Sequence, residues 1–188
     1  MNPWKSPELS FRRRHLPHLE VPDATYFVSF SCLHRVELLP EARDLVMAEI
    51  RALDEDAIAL DAAVAMPDHV HAIFRLIGTL TLIQVLKSIK GRTAHRINEI
   101  TGRQGQVWTQ ESFDHIVRSE AEWQEKIEYV RHNPLKKGLV SSPSQYKWLY
   151  IRNPSEKHSR RTEFIPSDSS GKNRGLTRSS AKNKDSTK

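Results

Sequence analysis

The sequence predicts an α+β domain of ferredoxin-like order, β-α-β-β-α-β-α with an antiparallel sheet, followed by a disordered basic tail. Three observations carry this prediction. Several short stretches alternate apolar and polar residues with period two, as strands do. Longer stretches space their apolar residues three and four apart, as helices do. Pro, Gly, Asp and Ser fall at the joins between them.

TYFVSFSCL (25–33) puts Tyr26, Val28, Phe30 and Cys32 on one face and reads as the first strand. EARDLVMAEIRAL (41–53) follows Pro40 and spaces Leu45, Val46, Ile50 and Leu53 helically. AIALDAAVAM (57–66) is the next strand, its signal weakened by alanine. Met66-Pro67-Asp68 turns the chain into HVHAIFRLI (69–77), a third strand. From Thr81 a helix places Leu82, Leu86, Ile89, Ile97 and Ile100 at helical spacing and stops at Gly102. SFDHIVR (112–118) is short and β-like. Ser119 with Glu122 forms a capping box that opens a last helix, expected to end near His132 before Asn133-Pro134.

A chain of 188 residues holds one cored domain with something left over. The division expected is a basic arm at 1–20, a domain at 21–152 and a tail at 153–188. The tail is rich in Ser, Lys, Arg and Asn and too poor in apolar residues to offset its ordering entropy. The net charge of +6 resides in the ends. The tail carries nine Lys/Arg against four Asp/Glu, and the arm four against two. Such ends add salt-sensitive phosphate affinity, or serve only as solubilising segments. One cysteine, Cys32, excludes an internal disulfide framework and a Cys-rich zinc site. No apolar run approaches the ~20 residues of a membrane span, and the N-terminus lacks a secretory hydrophobic segment. A cytoplasmic, nucleoid-associated protein is the expectation.

In AMPDHVHAIF (65–74), His69 and His71 share a strand face with Ile73 and Arg75, opposite Val70, Ala72, Phe74 and Leu76. Two neutral imidazoles side by side can chelate a divalent cation. Taken alone, H-x-H is more often two half-exposed histidines on an open face, and a metal needs at least a third ligand. The last helix offers candidates. Trp123, Ile127 and Val130 form its apolar stripe, with Tyr129 about 120° and Asn133 about 90° away. Tyr129 and Asn133 are i, i+4 neighbours. An exposed Tyr and an Asn before Pro134 explain this equally well. A tyrosine beside a metal, however, can attack a DNA phosphodiester and form a phosphotyrosine link whose bond energy permits rejoining.

At these residues the sequence resembles the HUH endonucleases, whose motif is His–hydrophobic–His. AMPDHVHAIF is similar to the "MPNHVH" strand of their single-tyrosine transposases, and EYVRHNPLKKGLV (128–140) to the segment around the catalytic tyrosine. VWTQESFDHIVRSEAEW (107–123) and FRRRHLPHLEVPDATYFVSF (11–30) resemble further blocks of the REP-associated tyrosine transposases. The resemblance implies metal-dependent cleavage and strand transfer of single-stranded DNA next to a hairpin, through a 5′-phosphotyrosine. It implies Tyr129 as nucleophile and His69 and His71 as ligands of Mg²⁺ or Mn²⁺, with Asn133 able to join the metal. Asp68 departs from the usual Asn and adds a carboxylate. Lys136 and Lys137 stand where small or mixed residues are common, and could touch phosphate.

Further DNA contacts are expected from Lys87, Lys90, Arg92 and Arg96 along the second helix and from Arg12, Arg13 and Arg14 in the arm. Trp4 and Trp108 are candidate stacking platforms, Trp108 equally a core residue. Monomer and homodimer both stay open. The competing reading is a catalytically silent hairpin-DNA binding protein on the same fold. An amidohydrolase barrel fails on size, needing ~250 residues. A structural zinc site fails for want of thiols or further histidines.

Overall fold

The structure, a computed structural model, describes residue 21, residues 23–33 and residues 36–153. The arm with Trp4, Arg12, Arg13 and Arg14, and the tail beyond Asn153, lie outside the described residues. The elements run β1 (Thr25–Ser31), α1 (Pro40–Ala52), β2 (Ile58–Ala65), β3 (His69–Leu76), α2 (Leu82–Thr101), β4 (Phe113–Val117) and α3 (Glu120–Lys136). A 3₁₀ turn at Pro143–Gln145 and a short β5 (Leu149–Ile151) follow. The sheet order is β4-β1-β3-β2-β5, every neighbouring pair antiparallel. The first four strands have the ferredoxin-like arrangement expected, and β5 extends it.

Alternation along the strands sorts the core into two layers. Tyr26, Val28, Phe30, Val70, Ala72 and Phe74 pack under α1 and α2. Phe27, Ala62, Val64, Ile73 and Val117 pack under α3 with Ile127, Val130 and Tyr146. The face that carries the histidines is therefore covered, where the sequence suggested a mostly open one. This also accounts for the alanines of β2: the strand lies between β3 and β5, with helices over both faces, so small residues fit.

Local chemistry sets the helix ends. Thr81 and Gln84 cap α2 reciprocally, and Gly102 closes it in the left-handed conformation at φ 64°. At α3, Ser119 Oγ accepts from the Glu122 N–H, but Glu122 bonds the Arg118 N–H instead of that of Ser119. The expected box is thus half formed. α3 also runs one turn past its expected end. Asn133 and Pro134 are both buried, so packing holds them helical despite the missing proline N–H. The Lys137 N–H still reaches the Asn133 carbonyl, and Gly138 at φ 68° terminates the turn.

Candidate functional site

Register brings the site together. His69 and His71 on β3 lie opposite Ser31 and Ser29 of β1, all on the α3 side of the sheet. Two contacts hold α3 over them. A bulge in β2 between Leu60 and Ala62 presents Asp61, whose carboxylate accepts from Trp123 Nε1 at 2.9 Å. On the far edge His115 of β4 meets Glu122 at 2.6 Å. Burial works against the Glu122 charge, yet the Arg118 N–H, His115 and Lys126 hold its carboxyl below the ordinary value.

Tyr129 descends from α3 onto the histidines. Its ring centroid is 5.2 Å from that of His71, and His71 is 4.6 Å from His69. Asn133 stands one helical turn on from Tyr129 and is buried. Burial raises the phenol pKa, and the nearby Asn133 amide offsets part of that rise. The sequence did not single out Phe27, which stacks on His71 at 5.4 Å and meets Tyr129 edge-on at 5.9 Å. Its signal was available: period two puts Phe27 on the face of β1 opposite Tyr26 and Val28.

His71 is 3% exposed, and neither ring nitrogen has a hydrogen-bond partner among the described residues. Burial, with His69 beside it, holds its pKa well below the ordinary histidine value. Asn133 Oδ1 is likewise buried and unpartnered. Buried polar atoms are nearly always bonded, so the ring nitrogens of His71 and the Asn133 oxygen stand out as unsatisfied groups near one tyrosine. His69 differs: its Nδ1 lies 2.6 Å from Asp68 Oδ1. A carboxylate only accepts, so Nδ1 carries a proton, and in the neutral tautomer that leaves the lone pair on Nε2. Among the described residues no three His, Cys, Asp or Glu side chains could hold a metal ion together. Asn133 offers an oxygen of another residue type, buried and without a hydrogen-bond partner among the described residues.

The other expected residues divide. Lys136 lies 5.1 Å from the Tyr129 ring, and Lys137 follows it at the exposed end of α3. The α2 residues lie across the sheet, on the face opposite His71 and Tyr129. Lys90 Nζ bonds Gln110 O and Ser112 Oγ, both at 3.0 Å, and partial burial lowers its pKa. Arg92 and Arg96 share Glu49 of α1, at 3.9 and 3.0 Å. Lys87 is exposed. Trp108 is core: it is 3% exposed, bonded to Thr93 and packed against Phe30, so it offers no stacking platform.

The sequence model of the IS200-like transposases matches residues 24–133, more than half of the chain, and spans β1 through Asn133. The chain belongs to the IS200-like transposase family. The fold agrees with a solved REP-associated tyrosine transposase bound to a REP hairpin, at 19% identity and a TM-score of 0.62. That match covers 72% of this IS200-like chain and 81% of the other. A protein from Deinococcus radiodurans R1 assigned as a transposase matches at 21% identity and a TM-score of 0.44, over 62% of this chain and 97% of its own. None of the curated protein sequences matches. No helix among the described residues is long and apolar enough to cross a membrane.

Proposed function

We propose that this IS200-like transposase cleaves and rejoins single-stranded DNA beside a hairpin, with Tyr129 as its nucleophile. The observation that carries the reading is the packing of Tyr129 on His71, which itself lies against His69 of the same strand, with Asn133 one helical turn from the tyrosine. The hairpin part of the reading draws on the solved relative bound to a REP hairpin.

In the reaction the Tyr129 oxygen forms a bond to phosphorus, and the phosphorus bond to the 3′ oxygen breaks. The phenol proton is lost, and the leaving strand takes up a proton as its 3′-hydroxyl. The reverse step rejoins strands because one phosphoester replaces another. Phe27 meets the phenol ring edge-on and holds it in place, and the covered face limits access of water. His69 through Nε2, His71 and the Asn133 amide oxygen would hold Mg²⁺ or Mn²⁺. When bound, such an ion offsets the negative charge that builds on the phosphate. Lys136 and Lys137, at the exposed end of the tyrosine helix, would contact flanking phosphates.

The test uses labelled hairpin oligonucleotides from repeats flanking the gene, incubated with Mn²⁺ and run on a denaturing gel. A protein–DNA band is expected with the wild type and not with Tyr129→Phe or with chelator. Tight binding without a band from any protein would favour the catalytically silent hairpin binder.

A further inference from the structure

Beside the site lies a cleft of about 380 Å³, within the range of pockets that hold small organic groups. Its walls come from three places: Val36 and Glu37 after β1, the turn Met66-Pro67-Asp68 that leads into His69, and Lys137 and Leu139 beyond α3. Val36 and Met66 are buried, and Leu139 is 42% exposed. The charged side chains of Glu37 and Lys137 are exposed, and neither pairs with a described residue. Cleft and site share structure: Asp68 lines the one and holds His69 of the other, and Lys137 directly follows the tyrosine helix.

We propose that this cleft takes one unpaired base of the DNA strand, adjacent to the phosphate that Tyr129 attacks. The assignment rests on the tyrosine-transposase reading and adds a specificity site to it. A base has apolar faces and a polar edge, which matches an aliphatic lining rimmed by charge. Glu37 can only accept, so it favours a base with an exocyclic amino group (adenine, cytosine or guanine) over thymine, whose one ring N–H stands between two carbonyl oxygens that a carboxylate repels. Lys137 is placed for the phosphate of the same nucleotide. Asp68, which lines the cleft and bonds His69, puts the nucleotide next to a phosphate at His69 within reach of it.

The test scans single abasic positions through the single-stranded flank of a hairpin oligonucleotide. Binding is read by fluorescence anisotropy with Tyr129→Phe, which cannot form the link, and with the same protein carrying Leu139→Asp. Link formation by the wild type is scored in parallel. One abasic position should weaken binding at least about fivefold, the low end for a stacked base. In Leu139→Asp the intact DNA should bind weaker by a similar factor, and that position should no longer matter. Thymine there should also weaken binding, a preference that Glu37→Ala removes. If the wild type forms the link but sensitivity to every abasic position survives Leu139→Asp, the cleft assignment is wrong and the catalytic reading stands. If no oligonucleotide gives a link, the catalytic reading falls and the cleft assignment falls with it.

Discussion

Replacing His71 with leucine should stabilise the metal-free protein while abolishing strand cleavage. Both ring nitrogens are buried and unpartnered, and an unsatisfied buried polar group costs about 1–3 kcal/mol. Leucine removes both polar atoms at similar volume. It also forfeits the ring contacts with Phe27, Tyr129 and His69, worth about 0.5–1.5 kcal/mol each. The balance is a gain of about 1 kcal/mol, or roughly 3 °C in Tm for a domain of this size. The assay is urea unfolding in chelator, repeated with excess Mn²⁺. The wild type should gain about 2.7 kcal/mol at a metal concentration one hundred times Kd, and His71→Leu far less. A metal-free His71→Leu less stable than wild type by more than about 1 kcal/mol would show that the native nitrogens are satisfied. An equal response of both proteins to Mn²⁺ would remove His71 from the metal site.

Three further outcomes follow from the same geometry. In chelator, stability should fall as pH drops below about 6.5, by up to ~1.4 kcal/mol per pH unit. The unfolded His71 takes its proton there, whereas the folded one resists until well below, and His71→Leu should lose this component. Removing Lys136 and Lys137 together should lower hairpin affinity and reduce its salt slope by about 2, whereas Arg92→Ala with Arg96→Ala should leave the slope unchanged. Burial, with the charge of Asp68, pushes the Cys32 thiol up to about 12. At pH 8 the folded protein should react with a disulfide reagent about a thousandfold more slowly than the unfolded one, and equal rates would show an accessible thiol.

Much of the fold was legible because local signals and tertiary packing agree. Thr81 and Gly102 bound α2 as their chemistry requires, and the period-two stretches became β1 to β4. Where tertiary context overrides local preference, the sequence misled. Burial carried Asn133 and Pro134 into α3, which set Asn133 in line with Tyr129 instead of leaving it at a frayed end. β5 is three residues long, too short for a period, although Tyr146, Trp148, Leu149 and Tyr150 form an apolar cluster that could have marked it. The histidine pair was legible as a motif, but its burial was not, because coverage by α3 depends on long-range contacts such as Asp61 with Trp123. The basic strip on α2 was visible as charge. Its commitment to Glu49, Gln110 and Ser112, and its place across the sheet, only folding decides.

Covalent chemistry at one tyrosine is tested most directly by the mass of the linked peptide. Wild-type protein is incubated with a hairpin oligonucleotide and Mn²⁺, digested with nuclease and trypsin, and analysed by mass spectrometry. Trypsin cuts after Lys126 and Arg131, so the peptide spanning residues 127–131, Ile-Glu-Tyr-Val-Arg, should carry a nucleotide phosphate on Tyr129. A nucleotide found on another residue, or cleaved DNA with no modified peptide, would contradict it.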